Sequence, residues 1–439
     1  MYYSTRHKSP QVDIKGALFK SGAPDGGIYM PLSLPVIPDA FFNNFGDMTI
    51  NEIAYIIADQ LFGHVLTSEA IKHIIDCAID FEVPINPISK NISVMELFHG
   101  PTLTFKDFGS RFMARLIEHL APSIGRSGNI NVVVSTTGNT GAAVANAFAG
   151  VSNCEVFILY PPSTSTLSLQ RQFTTLGGNI HAIGVQGSID DCRRLAKQAI
   201  YDPVLNSSMI MTSANSANIF RLLPQVFYMF YGISRLISSG NSPEDIIPAI
   251  PSGNLSNLTA AIIAKRMGLK CGPILAAENA NVSLTTAIKT GTFERRSAVA
   301  TLAYACDKGR PTNSDRLLDL YNNNFKQSFN DIIPYTVSDL DIIRSVNTCQ
   351  ARYKYLLDPH SAMAYHALNK HLSDNRKGLL FATAHPAKSL ATMTAITGKA
   401  IDMPLQLNAF LAGRDHSFSM SPDFRALRNF IIHVNNSPS

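Results

Sequence analysis

The stretch "NINVVVSTTGNTGAAVANAF", residues 129–148, joins a short apolar run to an alanine-rich segment through a loop of hydroxyl residues and glycine. The run Val132–Val134 is typical of a buried strand, and the alanine-rich segment is typical of a helix. The same alternation continues in "CEVFILYPP", "LSLQRQFTTLGG", "NIHAIGVQG" and "SIDDCRRLAKQAI". Strands and helices at this spacing predict a mainly parallel sheet with crossover helices.

A second series of the same kind is formed by "DIIPAIPSGN", "LTAAIIAKRMG" and "GLLFATAHPA". Pro248 in the first of these predicts an edge strand or a bulge, because proline donates no hydrogen bond. Residues before about 92 show helical periodicity instead, from Ile50 to Phe62 and from Ile71 to Ile79. We therefore predict an α/β fold: a small, mostly helical N-terminal domain (1–92) and two open, mainly parallel α/β domains (93–225 and 226–439).

Composition excludes several classes of function. The 439 residues are 46% hydrophobic and 16% charged, and the net charge of +5 is spread along the chain, so neither a nucleic-acid arm nor a membrane-surface helix is predicted. No signal-peptide core or membrane-length apolar run is present, which favours a cytoplasmic protein. Six scattered cysteines without a CxxC pair favour buried free thiols over disulfides or a metal site.

Two loops between a predicted strand and a predicted helix have the composition of anion sites. They are "STTGNTGAAV", residues 135–144, and "PSGNLSNLT", residues 251–259. Small residues let backbone N–H groups approach an anion, and a helix N-terminus adds a favourable dipole. Neither loop has the spacing of a dinucleotide or Walker motif, so we expect a carboxylate or a phosphate as the ligand.

Lys106 lies between two phenylalanines in "HGPTLTFKDFG", residues 99–109. Burial among apolar groups lowers the pKa of a lysine, and a neutral amine can attack a carbonyl and hold it as a Schiff base, as lysines do with pyridoxal phosphate. That cofactor needs one phosphate cradle, and its amino-acid substrate needs a carboxylate cradle. The two loops supply one candidate for each.

These residues resemble a known family. "ELFHGPTLTFKDFG" resembles the lysine motif of threonine synthases, and further matching stretches follow in the family's order up to about residue 390: "YYSTR", "APDGGIYMP", "STTGNTGAAVANAF", "TSANSANIFRLLPQ", "PSGNLSNLTA", "DPHSAMAYHAL" and "TAHPAK". The resemblance implies the tryptophan-synthase-β-like fold of pyridoxal-phosphate enzymes (fold type II). It also implies the cofactor pyridoxal 5'-phosphate and the conversion of O-phospho-L-homoserine and water into L-threonine and phosphate.

The resemblance also assigns roles to individual positions. Lys106 would be the Schiff-base lysine, which moves protons at Cα and Cβ of the substrate, and Thr383 would bind the pyridine nitrogen. The other cofactor contacts would come from Asn139 at the 3′ oxygen and from the phosphate loop of Gly253, Asn254, Leu255, Ser256 and Asn257. The substrate carboxylate would lie near Thr136, Thr137 and Gly138. Candidates for holding the departing phosphate, by motif position and charge, are Arg111, Arg221, His385 and Lys388.

The sequence departs from the family pattern close to these positions. Thr137 replaces the usual serine, Asn139 a frequent aspartate, Leu255 phenylalanine, Ser256 glycine and Val282 aspartate. Because these changes bear on the substrate, two other activities stay open: a threonine-synthase-like phospholyase that releases 2-oxobutyrate, and a lyase for another β- or γ-substituted amino acid. A non-catalytic ligand sensor with this fold is a further alternative, and the chain could be a monomer or a homodimer.

Three residues in the matching motifs are expected to have structural roles. Asp107 is typical of an acid at a helix N-terminus. His99 and His360 are expected to be hydrogen-bonded structural histidines.

Overall fold

The computed structural model describes residues 1–124 and 129–436 of the chain. The strands within these residues are β1 (Tyr2–Ser4), β2 (Tyr29–Pro31), β3 (Ile85–Pro87), β4 (Ile92–Glu96), β5 (Ile130–Ser135), β6 (Cys154–Tyr160), β7 (Ile180–Val185), β8 (Ile210–Thr212), β9 (Ile246–Pro251), β10 (Ile274–Glu278), β11 (Ile332–Thr336), β12 (Lys377–Ala382) and β13 (Phe418–Met420).

The α-helices in the same ranges are α1 (Ile14–Lys20), α2 (Asp39–Asn44), α3 (Ile50–Phe62), α4 (Ser68–Ala78), α5 (Lys106–Leu120), α6 (Asn139–Phe148), α7 (Leu167–Thr174), α8 (Ile189–Tyr201), α9 (Pro203–Ser208), α10 (Gln225–Ser238), α11 (Ser256–Arg266), α12 (Ser283–Thr290), α13 (Ser314–Leu320), α14 (Asp339–Tyr353), α15 (Pro359–His371), α16 (Leu390–Thr397), α17 (Leu405–Ala412) and α18 (Phe424–Asn436).

Two mainly parallel sheets form the frame of the molecule. The smaller sheet has five parallel strands in the order β13-β7-β6-β5-β8. The larger sheet has the order β11-β10-β9-β12-β4-β3, and only the edge strand β3 is antiparallel to its neighbour. Strands β1 and β2 pair as an antiparallel ribbon before the first long helices. The predicted fold class, two α/β units after a mostly helical N-terminal part, is confirmed.

Helix positions in the N-terminal part follow local sequence signals. Helix α3 covers the periodic segment Ile50–Phe62, and a capping box closes its first turn: the Thr49 hydroxyl accepts from the Glu52 N–H at 3.3 Å, and the Glu52 carboxylate accepts from the Thr49 N–H at 2.7 Å. Such a box satisfies two backbone donors that a helix leaves open. Helix α8 begins with the same arrangement, which Ser188 and Asp191 form.

Strand membership does not follow the predicted domain boundaries at 92 and 225, which stay a prediction. Strand β13 comes from the last part of the chain but pairs with β7, and α18 packs on α8 of the same unit. Since parallel strands pair wherever their crossovers place them, each unit combines distant segments of the chain. Residues 125–128 and 437–439, which the predicted domains include, lie outside the described residues.

The edge position predicted as one of two alternatives for Pro248 is wrong. Strand β9 is an interior strand that pairs with β12 on one side and with β10 on the other. The pairing with β10 begins at Ala249, one residue after Pro248. On the other side Pro248 lies opposite Leu379 of β12, inside that ladder, so an interior strand here accommodates a proline.

Helix α5 lies in the largest hydrophobic core and ties the N-terminal part to the rest of the chain. The Phe112 ring packs against Phe62 of α3, with ring centroids 5.7 Å apart, and against Phe227 of α10 at 5.9 Å. Because α5 begins at Lys106, these contacts hold the lysine on a well-packed element.

The cysteines and the lengths of the helices are the two features for which composition gave an expectation. All six cysteines are free, and Cys154, Cys192, Cys306 and Cys349 are buried. None of the helices in the described ranges combines the length and the apolar content that crossing a bilayer needs.

We predict that Phe112→Ala lowers the free energy of unfolding by about 3–5 kcal/mol, because it removes a fully buried ring and leaves a cavity. Urea denaturation followed by circular dichroism would measure the change. The matched control is Phe329→Ala, whose ring is 71% exposed and whose removal should change the free energy by about 0.5 kcal/mol or less. Equal effects of the two substitutions would contradict the central position assigned to α5.

Candidate active site

Lys106 follows a short segment that pairs with the chain just after β12. Thr104 and Ala384 form an antiparallel bridge, and the Phe105 N–H donates to the Thr383 carbonyl at 3.0 Å. These contacts place Lys106 beside Thr383 at the carboxyl end of the larger sheet. Ligands of open α/β folds bind at this edge, and the structure brings together the two predicted residues there.

The amine of Lys106 lies in an apolar and electropositive setting. It is 4.5 Å from the centre of the Phe105 ring. Burial, followed by the nearby positive charges of Arg221 and Lys308, lowers the pKa of Lys106 to about 8. Roughly a tenth of such amines are neutral at pH 7, against fewer than about one in a thousand for an ordinary lysine. The predicted lowering of the pKa is confirmed.

Two further predicted cations are buried near Lys106. Burial lowers the pKa of Arg221 to about 10 and that of Lys388 to about 7. Arg221 donates to the Ala214 carbonyl at 2.5 Å, and Lys388 donates to the Gln172 side-chain oxygen on α7. Neither bond involves a carboxylate, so the charge of Arg221 and that of the protonated fraction of Lys388 remain available to an anionic ligand.

Asp107 is the carboxylate that lies among these cations. It is buried in the first turn of α5, where it accepts bonds from the Thr102 N–H at 2.9 Å and from the Thr102 hydroxyl at 2.5 Å. Burial raises the pKa of Asp107. These contacts confirm its predicted place at a helix N-terminus.

The loop after β5 forms the first predicted anion site. The Thr136 hydroxyl accepts from the N–H groups of Gly138 at 2.9 Å and Gly141 at 3.0 Å, which shapes the turn into α6. Among the described residues, the N–H groups of Thr137, Asn139 and Thr140 have no acceptor. Thr136 and Gly138 are buried whereas Thr137 is exposed. Free N–H groups at a helix N-terminus are the arrangement that binds a carboxylate.

Asn139 links this loop to the other unit of the molecule. Its side-chain NH₂ group donates to the Tyr304 hydroxyl at 3.1 Å. Its Oδ1 atom is buried and has no hydrogen-bond partner among the described residues. A buried acceptor without a partner costs free energy, which a hydrogen-bond donor on a bound group would recover.

The loop after β9 forms the second predicted anion site. Leu255 adopts a left-handed conformation with a φ of 62° just before α11. Within the part of the chain that the structure describes, the N–H groups of Gly253, Asn254, Leu255 and Ser256 have no acceptor. Four free donors at the start of a helix suit a phosphate.

Contacts from neighbouring segments hold this second loop in place. The Asn254 side chain donates to the Ser216 hydroxyl at 2.6 Å and accepts from the Thr312 N–H at 2.7 Å. The Asn257 side chain accepts from the Tyr228 hydroxyl. A Cβ atom at Gly253 would lie 2.4 Å from the Cα atom of Cys306, so only glycine fits there without a shift of the backbone.

The residues around Lys106 fit pyridoxal phosphate. The seven free N–H groups are divided between two loops, as a phosphate and a carboxylate require. In the described ranges, the buried Arg221 Nε and Thr104 Oγ1 atoms also have no partner, as is true of Asn139 Oδ1. Such atoms are rare in native proteins and mark places where a ligand or ordered water completes the structure.

Arg111 is not brought into this group. Its guanidinium donates to the carbonyls of Cys77 at 2.7 Å and Ala78 at 3.0 Å, at the end of α4, and pairs with Asp80 at 2.5 Å. These contacts match a cation that closes a helix C-terminus.

His385 lies directly after Ala384, and its Nδ1 atom accepts from the Ala387 N–H at 3.1 Å. Burial lowers the pKa of this imidazole. Together with Glu96 and His99, His385 lines a cavity of about 550 Å³.

The two histidines expected to be structural are hydrogen-bonded. His99 Nε2 lies 2.6 Å from the Glu96 carboxylate. His360 Nδ1 lies 2.5 Å from Asp358, and its Nε2 atom accepts from the Ala305 N–H at 3.1 Å. This expectation is confirmed.

Three residues beside the candidate site were not identified from the sequence: Tyr304, Lys308 and Gln172. Tyr304 and Lys308 belong to "YACDKGRPTN", a stretch that differs from the family pattern and by itself indicates no role. Gln172 lies in α7 without any motif. Tyr304 is identified by its contact with Asn139, and Gln172 by its contact with Lys388. Lys308 is identified by its effect on the pKa of Lys106.

Two substitutions relative to the family pattern have a structural account. Ser256 begins α11 with a negative φ, so a side chain there causes no backbone strain. Val282 precedes α12 and supplies no side-chain cap. The buried Glu278 carboxylate binds the first-turn N–H groups of Leu284 at 2.9 Å and Thr285 at 2.7 Å instead.

Comparison with known proteins agrees with this geometry. Residues 84–382 match the family model described as "Pyridoxal-phosphate dependent enzyme", and residues 1–79 match "Threonine synthase N terminus". The threonine synthase of Serratia marcescens is 34% identical over 435 residues, which are 98% of each chain. The chain belongs to the threonine synthase family.

Solved structures of the threonine synthase family support the same assignment. The crystal structure of threonine synthase from Escherichia coli matches with a TM-score of 0.88 and 31% identity over 99% of each chain. The pyridoxal-phosphate-bound threonine synthase of Brucella melitensis matches with a TM-score of 0.92 and 26% identity, again over 99% of each chain. The fold is therefore that of fold type II enzymes, and the cofactor is pyridoxal 5'-phosphate.

We predict that Gly253→Ala weakens the binding of pyridoxal phosphate at least tenfold, because the new Cβ atom displaces the loop from Cys306. Absorbance titration of the full-length apoprotein would give the dissociation constant. Gly46→Ala is the control. Gly46 lies in the N-terminal part of the fold, and a Cβ atom added there would have the Ser238 side chain as its nearest neighbour, at 3.1 Å. An unchanged constant in the Gly253 variant would argue against a phosphate site in this loop.

A second prediction concerns pH. Since the pKa of Lys106 is lowered to about 8, the neutral, reactive fraction of the amine should rise through pH 8. The rate at which the apoprotein takes up pyridoxal phosphate, divided by the rate per neutral amine of free N-acetyl-lysine at the same pH to remove the cofactor's own ionisation, should saturate above that pH. A midpoint near 10 would show that the lysine is not in a pKa-lowering environment.

Proposed function

We propose that this chain converts O-phospho-L-homoserine and water into L-threonine and phosphate with pyridoxal phosphate as its cofactor. The observation that carries the proposal is the setting of Lys106: a buried lysine with a pKa lowered to about 8, in a chain whose two strand-to-helix loops have free N–H groups. Full-length similarity to threonine synthases supports the same reaction.

The chain's own residues account for how the cofactor would be held. The free N–H groups of residues 253–256 would bind its phosphate, and the Thr383 hydroxyl would hold its pyridine nitrogen. Asn139 orients it through the unpartnered Oδ1 atom, with Tyr304 fixing the amide. When bound, pyridoxal phosphate supplies an electron sink for charge that develops on the carbons next to the substrate amine.

Lys106 is the group that moves protons. In its neutral form the Nζ atom accepts the proton from the substrate Cα. It must give that proton up again before it can accept the next proton, from Cβ. A base works best when its pKa lies near the working pH, and the lowered pKa of about 8 meets that condition. Thr383 offers a hydroxyl and no carboxylate, so it does not keep the pyridine nitrogen protonated as a carboxylate would. Most of the proton transfers therefore depend on Lys106.

The substrate carries two anionic groups, and the site offers positive potential for both. The loop of Thr136, Thr137 and Gly138 binds the carboxylate at the N-terminus of α6. Arg221 and Lys388 stabilise the departing phosphate, because their charges are buried without a carboxylate partner. His385 is placed to assist from the end of β12. Arg111, which is held by α4 and Asp80, stabilises the position of α5 instead.

The setting of this activity is also part of the proposal. We place the protein in the cytoplasm, as either a monomer or a homodimer, with a small-molecule substrate and without a nucleic-acid partner. The spread of its net charge of +5 along the chain supports the absence of a nucleic-acid partner.

The test is to supply the purified holoprotein with O-phosphohomoserine and to measure phosphate, threonine and 2-oxobutyrate together. We expect threonine and phosphate in equal amounts, and no turnover in Lys106→Ala. The exposed lysine variant Lys289→Ala is the control and should match the wild type. Phosphate released with 2-oxobutyrate would identify the phospholyase reaction instead, and no phosphate from wild type would reject both reactions.

A further inference from the structure

Arg316 on α13 is fully buried and, among residues 1–124 and 129–436, forms no ion pair with a carboxylate. Its guanidinium donates only to oxygen atoms of neutral groups: the Tyr29 carbonyl at 3.1 and 3.2 Å, the Ser216 carbonyl at 3.0 Å, the Ala217 carbonyl at 2.6 Å and the Asn313 side chain at 2.7 Å. Its sequence neighbour Asp315 pairs with Arg310 at 2.8 Å instead. A buried charge without a counter-charge is costly, so the site requires a further explanation.

Two routes connect Arg316 to the loop after β9. Ser216, whose carbonyl accepts from Arg316, also accepts through its hydroxyl from the Asn254 side chain at 2.6 Å. Asn313, whose side-chain oxygen accepts from Arg316, donates from the same amide to the Asn254 carbonyl at 2.9 Å. By each route a single residue, Ser216 or Asn313, links Arg316 to Asn254 of the loop through hydrogen bonds.

The bonds to Tyr29 extend this network to β2 in the N-terminal part. One side chain therefore ties together the N-terminal ribbon, the loop at residues 216–217, the segment before α13 and, through it, the phosphate loop. Burial lowers the pKa of Arg316 to about 9, which still leaves it protonated at neutral pH. The missing counter-charge then has to come from something that binds nearby.

We propose that Arg316 is a positioning residue for the cofactor phosphate: it fixes Asn254 through Ser216 and Asn313, and its buried positive charge is balanced by the phosphate dianion at the start of α11. This inference rests on the proposed function, because that proposal places the phosphate in the loop of residues 253–256. Arg316 itself does not touch the phosphate, so it acts through the geometry of the loop and through its charge.

The experiment compares two ligands that differ only in the phosphate. Full-length apoprotein is titrated with pyridoxal phosphate and with pyridoxal. The dissociation constant for pyridoxal divided by that for pyridoxal phosphate measures what the phosphate contributes to binding. In Arg316→Met this ratio should fall at least tenfold relative to wild type. In Arg316→Lys, which keeps the charge but loses the planar fork, the fall should be smaller. A purely structural role would weaken both ligands equally and leave the ratio unchanged.

Arg235→Met is the matched control. Arg235 also donates to main-chain carbonyls of the N-terminal part, to Gly46 and to Met48, both at 2.8 Å. Within the part of the chain that the structure describes, neither partner forms a hydrogen bond to residues 253–256. Its variant should keep the wild-type ratio. A wild-type ratio in Arg316→Met would overturn the inference, and if that variant does not fold, a wild-type ratio in Arg316→Lys would overturn it equally. Equal binding of pyridoxal and pyridoxal phosphate by the wild type would instead reject the phosphate loop itself.

Discussion

An excess of buried positive charge between two parallel sheets is the constraint on which the rest of the structure depends. Lys106, Arg221 and Lys388 are held there, and burial lowers the pKa of each. The single negative charge of Asp107 does not balance the positive charges of these residues. Burial also raises the pKa of Asp107, which disfavours its charged form. Charges in this arrangement are costly for an empty protein and favourable for one that binds a dianionic cofactor and a dianionic leaving group. The fold stabilises the arrangement by packing α5 into the main core.

The two sheets approach each other through hydrogen bonds that join side chains of the site. Asn139 at the start of α6 donates to Tyr304, which lies between β10 and β11 of the larger sheet's unit. Lys388, which follows β12, donates to Gln172 on α7. The same residues that we assign to cofactor and phosphate binding thus also span the gap between the units.

The sequence was sufficient for the local elements and for the order of the site motifs. Helix α3, its capping box and the strand-to-helix loops at Thr136 and Gly253 follow from patterns a few residues long. It was not sufficient for contacts between distant segments, because those depend on how the sheets assemble. Pro248 was therefore assigned to an edge or a bulge, and the roles of Tyr304 and Arg316 did not emerge. Tyr304 and Arg316 belong to no sequence motif that predicts their roles, and their hydrogen-bond partners Asn139 and Tyr29 lie more than 100 residues away in the sequence.

The central claim is that Lys106, and neither of the other buried lysines of the site, holds the cofactor. The most direct measurement is to reduce the holoprotein with borohydride, digest it, and locate the modified lysine by mass spectrometry. The account predicts that the pyridoxyl group is found on the peptide that contains Lys106. Modification of Lys308 or Lys388 instead, with Lys106 left free, would contradict it.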